Sequence, residues 1–297
     1  MILVVGLSAV WQRTLFFDEV RLGEVNRATR VVETASGKGV NVARVATTLG
    51  LPARVLTVAG GRRGELFRRA LPADGVSARI VPVRGETRLC QTLVAGNAVT
   101  ELVEEAAALR PVEVRAVLAA FAEELRRATM LVLSGTVPRG CGDDFCARLA
   151  AAARECEVPV VVDTQRAQLL GAVRHGPVLV KINQAELATA TGQGGVVRGV
   201  RELRRLGATR VVISHGAKAA RGFDGKEQWA VQPPRLVAVN PIGSGDAMLA
   251  GIIAGLVRGE DLREALRFGV ACGAANALTE TSGVIRTADV ERLLREV

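Results

Sequence analysis

The sequence predicts an α/β fold in which a central, mostly parallel sheet is flanked by helices and accompanied by a small extra β-layer. Short runs rich in β-branched and apolar residues alternate with Ala/Leu/Arg stretches of helical period, the βαβα pattern of a sheet covered by its own crossovers. The runs are apolar on both faces, as parallel strands buried from two sides must be. Two segments break the alternation and read as half-exposed hairpins, which the core of such a fold does not require.

In chain order, Ile2–Gly6 is the first buried strand. The apolar start from Met1 to Trp11 lacks a preceding basic residue and a small-x-small cleavage site, so it reads as that strand and not as a secretory leader. Arg13–Val32 is the first hairpin, and a glycine-rich turn at residues 35–39 then runs into a helix. Arg54–Ala59 is a further buried strand, and Thr87–Val103 is the second hairpin, with Gly96-Asn97 at its turn. In Val112–Arg127, Val114, Val117, Leu118, Phe121 and Leu125 recur at helical spacing behind Pro111, which suits a first turn. Met130–Leu133, Val158–Val162, Val178–Lys181 and Val211–Ser214 complete the buried strands, and a strand-like Leu236–Val239 precedes a long apolar helix. No Pro/Ser-rich linker, long charge run or internal repeat divides the chain. The expectation is one domain over 1–297, with a β lid formed by roughly 8–34 and 86–104.

Composition narrows the function. A chain of 297 residues, 49% hydrophobic, buries enough surface to need no disulfide staples. Its longest uncharged apolar run near a helix, Ala247 to Val257, falls far short of the roughly 20 residues that span a bilayer. Of the five cysteines only Cys141 and Cys146 lie close together, which supports neither a disulfide framework nor zinc and points to a reducing cytoplasm. His175 and His215 have no cysteine or acid at ligand spacing and read as loop residues. The net charge of +9 comes from a chain with only four lysines and 35 arginines, many paired on helices, while aromatics make up 3% and tyrosine is absent. Stacking platforms for nucleic acid are therefore scarce; small phosphorylated anions account for the charge better.

Two segments carry chemistry. Asn240-Pro241-Ile242-Gly243-Ser244-Gly245-Asp246 opens the apolar helix. Glycines there turn the backbone so that amides face outward at a helix N-terminus, where the dipole is positive, and that makes an anion site. Asp246 is either a cap of that helix or a general base beside a phosphoryl group; spacing alone leaves both open. Ala35-Ser36-Gly37-Lys38-Gly39-Val40-Asn41 is the second turn. It matches neither a Walker A loop nor G-x-G-x-x-G. Gly37 and Gly39 suit a tight strand-to-helix turn, and Lys38 with Asn41 equally suits a polar ligand.

Together the two segments resemble the signatures of the PfkB/ribokinase-like carbohydrate kinases. Further landmarks follow in that family's order: Gly23-Glu24-Val25-Asn26-Arg27, Thr87-Arg88, Ser134-Gly135-Thr136-Val137-Pro138, Lys181-Ile182-Asn183-Gln184-Ala185-Glu186, Ser214-His215-Gly216 and Gly273-Ala274-Ala275-Asn276. The resemblance spans the chain and is greatest to the 1-phosphofructokinase and tagatose-6-phosphate kinase branch. It implies a ribokinase-like fold and ATP- and Mg²⁺-dependent phosphorylation of a hexose phosphate such as fructose 1-phosphate or tagatose or fructose 6-phosphate. Asp246 would be the base, and the amides of Gly243, Ser244 and Gly245 would stabilise the transferring group. Gln12, Arg27, Gly37, Lys38, Gly39, Asn41, Arg88 and Thr136 fall at substrate positions, and Lys181, Asn183, Ser214, Gly216, Gly273 and Asn276 at nucleotide positions. Asn183 and Glu186 match the N-x-x-E pair that organises Mg²⁺, against a plain reading as a helix cap and an exposed acid. Small residues at 273–276 equally suit close helix packing. Pairing of two copies through the lid is also implied, and would bring Arg27 to a neighbouring subunit's site.

The chain departs from the pattern at several places. Ser8-Ala9-Val10-Trp11-Gln12 replaces Asn-Pro-x-x-Asp, so a neutral Gln12, able to donate as well as accept, stands where an acid would meet sugar hydroxyls. Ser36 replaces a glycine, Pro241 a threonine, and Ala219 a common glycine. These leave open a kinase of an unphosphorylated sugar or nucleoside, or a binding protein on this fold that has lost turnover.

Overall fold

In the computed structural model, which describes residues 1–96 and 98–297, the chain forms a nine-stranded sheet and a separate four-stranded one. The elements run β1 (Ile2–Val5), β2 (Val10–Phe17), β3 (Arg30–Ser36), α1 (Lys38–Thr48), β4 (Ala53–Ala59), α2 (Gly61–Ala73), β5 (Ser77–Pro82), β6 (Arg88–Ala95) and β7 (Ala98–Val103). They continue with α3 (Pro111–Leu125), β8 (Met130–Ser134), α4 (Phe145–Glu155), β9 (Val160–Asp163), α5 (Arg166–Val173), β10 (Leu179–Asn183), α6 (Gln184–Thr191) and α7 (Val196–Leu206). The last are β11 (Arg210–His215), β12 (Lys218–Asp224), β13 (Glu227–Val231), α8 (Ser244–Val257), α9 (Leu262–Ala277) and α10 (Thr287–Leu294).

The large sheet has the order β13-β12-β11-β10-β9-β8-β1-β4-β5. Strands β5 through β11 in that row pair in parallel, and β12 and β13 add an antiparallel edge. The chain leaves β1 toward β4 and β5, returns to β8 on the other side of β1, and then proceeds outward. Strand order therefore reverses between β1 and β8, and ligands of open α/β sheets bind in the crevice beyond the strand C-termini at such a point. Alternate residues of each strand feed two cores. Val4, Val55, Val132 and Val212 face α1, α8 and α9, whereas Leu3, Leu56, Leu131 and Ile213 face α3, α4 and α7.

The small sheet has the order β3-β2-β6-β7, with β2 and β6 parallel over eight register pairs and the outer pairs antiparallel. The first hairpin is thus wider than the sequence suggests: its strands extend to Val10 and Ser36, and residues 18–29 join them. The second spans Arg88–Val103, and Asn97, expected at its turn, lies outside the described residues.

Leu236–Val239 is not a strand. Pro233 and Pro234 lack the amides needed to extend the edge beside β13, and the segment is held by α9, with Val239 and Asn240 both donating to Ala277 O (2.8 and 3.2 Å). Strands β5, β12 and β13, absent from the sequence reading, lie at or toward the sheet edges, where half-exposed residues blur the apolar signal.

Candidate active site

Parallel strands deliver the polar residues at their C-terminal ends. Gly6 and Ser8 follow β1, Ser134 ends β8 with Gly135 and Thr136 just after it, Asp163 ends β9, Lys181 and Asn183 lie at the end of β10, and Ser214 is the penultimate residue of β11. At the reversal between β1 and β8, Gly6, Ser8, Ser134, Gly135 and Thr136 border a cavity of about 190 Å³, lined also by Lys38, Gly39, Arg88 and Glu105.

The two glycine turns meet there. Gly37 caps α1 with φ 117°, and a Cβ on it would lie 2.7 Å from Ser8 O. Gly39 packs on Gly6 so closely that a Cβ would meet its Cα at 2.8 Å. Gly243, with φ 86°, caps α8. The tight-turn role of these glycines is thus real, and it brings α1 and α8 side by side.

Asp246 lies at the third helical position of α8, buried at 5% exposure. It does not cap the helix; instead its Oδ2 accepts from Asn41 Nδ2 at 2.8 Å. Burial pushes the carboxyl up to about 6, against the opposing pull of Lys38 and Lys181 and the Asn41 bond, while Asp163 adds to the rise. Lys181 Nζ is 3.2 Å from Asp163 Oδ2 and would lie 2.9 Å from a Cβ at Gly245, so an ammonium sits beside the anion turn. Lys38 Nζ lies 3.9 Å from Asp163 Oδ1 and 3.6 Å from Glu186 Oε1. Asp163 foremost, with Asp246 and Glu186, holds the Lys38 ammonium well above its usual range.

The three amides expected to face an anion are not equivalent. Ser244 N donates to Pro241 O at 3.2 Å, whereas those of Gly243 and Gly245 have no acceptor among the described residues. Asn183 and Glu186 form a capping box on α6: Asn183 Oδ1 accepts from Glu186 N, and Glu186 Oε2 accepts from Asn183 N. This is the plain cap of the sequence reading, and it leaves Glu186 Oε1 turned to Lys38.

Other candidates divide. Arg88 lines the cavity, donating from Nη1 to Glu104 O, with its buried Nε unpartnered. Gln12 is buried and donates to Thr92 Oγ1 at 2.8 Å. Arg27 lies exposed on the 18–29 loop. Ser214 and Gly216 border a second cavity, of about 440 Å³, with Asn183, Gln184 and His215. Gly273 and Asn276 serve packing: a Cβ at Gly273 would meet Ser244 O at 2.9 Å. The Asn276 side chain donates to Ile242 O and Ser244 Oγ and accepts from Gly283 N.

Sequence reasoning missed Asp163 and Arg44. Asp163, fully buried, with Oδ1 lacking a hydrogen-bond partner, was signalled by an acid closing the apolar run Val160–Asp163. Arg44, at 5% exposure, reaches Asn41 Oδ1, Ala35 O and Asp74 Oδ2. Among 35 arginines nothing marked it.

As a general base Asp246 would have to be ionised, so a kcat/KM that depends on it is expected to fall about tenfold per unit below its turning point and to be flat above it. The turning point is expected near pH 6. A kcat/KM–pH profile, which reports groups of the unliganded enzyme, checks this; a profile level down to pH 5 would contradict it.

The family model for pfkB family carbohydrate kinases matches residues 1–287. Among solved structures, phosphofructokinase-2 from Escherichia coli in complex with substrates and products is 27% identical over 99% of this chain and 98% of that one, with a TM-score of 0.90. The same enzyme in complex with fructose-6-phosphate superposes with a TM-score of 0.86 at 27% identity, over 99% of this chain and 98% of that one. A protein described as a possible 1-phosphofructokinase from Thermotoga maritima shares the fold at 20% identity and a TM-score of 0.89, covering 99% and 97% of the two chains. Ribokinase from Arabidopsis thaliana complexed with ribose and ATP does so at 20% identity and 0.77, covering 99% and 98%.

Proposed function

The chain belongs to the pfkB family of carbohydrate kinases, phosphotransferases that act on a sugar hydroxyl with ATP as donor, and on that premise we propose a hexose phosphate as its acceptor and Asp246 as its base. The observation that carries the proposal is the buried carboxylate at the start of α8, next to two lysines and a turn with free amides. The structure of phosphofructokinase-2 with fructose-6-phosphate supports a phosphorylated acceptor, and so does the basic wall of the cavity.

The sugar enters the cavity between β1 and β8, where Arg88, Lys38 and Thr136 meet its phosphate and Gln12, Gly37, Gly39 and Asn41 surround its ring. Lys38 shifts from Glu186 toward that phosphate. Asp246 takes the proton of the attacking hydroxyl as its oxygen bonds to the γ-phosphorus; the bond from phosphorus to the bridging oxygen breaks and ADP leaves. Amides of Gly243 and Gly245, then Ser244 once released from Pro241, stabilise the negative charge in transfer, helped by Lys181. Ser214, Gly216 and Asn183 flank the nucleotide, with Gly273 and Asn276 shaping its turn from behind.

Mg²⁺ suits this corner: an ammonium already sits between Glu186 Oε1 and Asp163 Oδ1. Among the described residues no group of three or more ligating side chains exists, so Asn183 and Glu186 would hold the ion through its waters, as hard cations that retain water allow. When bound it supplies charge neutralisation on the triphosphate.

The chain 1–297 works as one domain whose small sheet closes over the sugar and excludes water. A homodimer through that sheet would carry Arg27 to the partner's site. Among the described residues no helix is long and apolar enough to cross a membrane, and all five cysteines are free, which supports a reducing, cytoplasmic setting.

A coupled ADP-release assay over sugars and sugar phosphates tests the proposal. Substrate-dependent ADP with fructose 1-phosphate or a hexose 6-phosphate is expected; turnover of free sugars or nucleosides alone would favour the unphosphorylated acceptor, and none at all a binding protein. Arg88→Ala is expected to lower kcat/KM for the phosphosugar by about 10- to 100-fold, the value of one charge-assisted bond. It should change free-sugar turnover no more than about threefold, and equal losses on both would remove the phosphate-binding role.

A further inference from the structure

We propose that Ser36 is a positioning residue for phosphoryl transfer: its hydroxyl, together with Arg44, holds the Asn41 amide in the orientation that donates to Asp246. The inference rests on Asp246 acting as the base. An amide has two ends of nearly equal size, and which end faces a carboxylate decides attraction or repulsion. Here Nδ2 faces Asp246 Oδ2 at 2.8 Å. Turned over, Oδ1 would face that oxygen at the same distance, two acceptors without a hydrogen between them unless the carboxyl were protonated.

The other end of the amide supports that choice. Asn41 Oδ1 receives Ser36 Oγ at 3.0 Å and, at a longer 3.4 Å, Arg44 Nη1. A carbonyl oxygen only accepts, so Ser36 must donate there. Its single hydrogen is then committed, and the 2.9 Å contact between Ser36 Oγ and Ser282 Oγ must be donated by Ser282. Donors therefore run one way, Ser282 to Ser36 to Asn41 to Asp246. Ser36, Asn41 and Ser282 are 3%, 4% and 2% exposed, so bulk water does not substitute for a lost partner. Ser36 is fixed in turn as the last residue of β3, paired with Val10. The charged groups facing Asp246 are Lys38 from α1, Lys181 from β10 and Asp163 from β9, with Arg44 acting only on the far end of Asn41. Arg44, a donor only, favours the same orientation from 3.4 Å, and Ser36 adds the shorter 3.0 Å bond.

Removing the hydroxyl leaves Oδ1 held only by the longer Arg44 contact, so the amide donates to Asp246 less constantly and the protonated carboxyl gains. Ser36→Ala, and Ser36→Gly as a second truncation, are therefore expected to lower kcat by about two- to fivefold at pH 6 and less than about twofold at pH 8. The acid limb of kcat should move up by about half a unit to one unit, with KM for both substrates within about twofold. In an Asn41→Ala background Ser36→Ala is expected to add nothing, because the effect passes through the amide. Circular dichroism and thermal melting confirm the fold of each variant. An acid limb left in place, or the same loss from Ser36→Ala with and without Asn41, would overturn the proposal while a dead Asp246→Asn keeps the base assignment. Wild-type turnover in Asp246→Asn would instead overturn the base itself.

Discussion

Asp246→Asn is expected to lower kcat by about 10²- to 10⁴-fold, the range that general base catalysis contributes, while KM for either substrate changes by no more than about threefold. Asparagine keeps the shape and an acceptor for Asn41 Nδ2, so the site stays assembled and only the proton acceptor is lost. Stability is expected to move the opposite way. The folded carboxyl is pushed up to about 6 by burial, above the usual aspartate value. Such a group opposes folding above that pH, because the native state holds an ionised carboxylate out of water, and the opposition fades as pH falls through the folded value. A neutral amide removes it, so the variant should melt no lower than wild type at pH 7.5. Parallel turnover and melting measurements check both halves: an inactive variant that also melts several degrees lower would point to a structural role, and an active one would remove Asp246 from the chemistry.

The fold was legible where burial is complete. The six buried strands of the sequence reading lie in the parallel part of the sheet because their residues face helices on both sides, which leaves an uninterrupted apolar run. Strands at or toward the edges alternate or carry charge, as in the Ser77–Pro82 strand, and merge with loops when read from sequence alone. Leu236–Val239 failed for the converse reason: apolar residues suggested a strand, but two prolines and an exposed Val237 leave it nothing to pair with. At the site, glycine turns were legible because a positive φ leaves few alternatives to glycine. The polar residues that act on one another across elements were not. Arg44 meets Asp74 across 30 residues and Ser282 meets Ser36 across 246, and such meetings exist only after the elements pack.

Gly243→Ala is expected to remove most activity and to destabilise the chain together, because three backbone segments stack there with no side chain between them. A Cβ at Gly243 would lie 2.7 Å from Gly283 N and 3.0 Å from Ser282 Cβ. Gly283 cannot retreat: its own Cβ position is filled by Asn41, whose nearest atom lies at 2.6 Å, and its amide donates to Asn276 Oδ1 at 2.7 Å. The methyl therefore displaces the segment that fixes Asn41 and, through it, Asp246. Left-handed backbone costs a non-glycine residue about 1–2 kcal/mol, and the collision adds to it. Gly259→Ala separates the two contributions, since Gly259 has a similar φ of 85° with nothing within 4 Å of its Cβ. That control should lose about 1 kcal/mol in denaturant unfolding, with kcat unchanged. Gly243→Ala should lose at least about twice as much and more than about 100-fold in kcat, as misplaced catalytic groups do. Equal stability losses in the two variants, with turnover intact at position 243, would show that the anion turn yields without disturbing the carboxylate behind it.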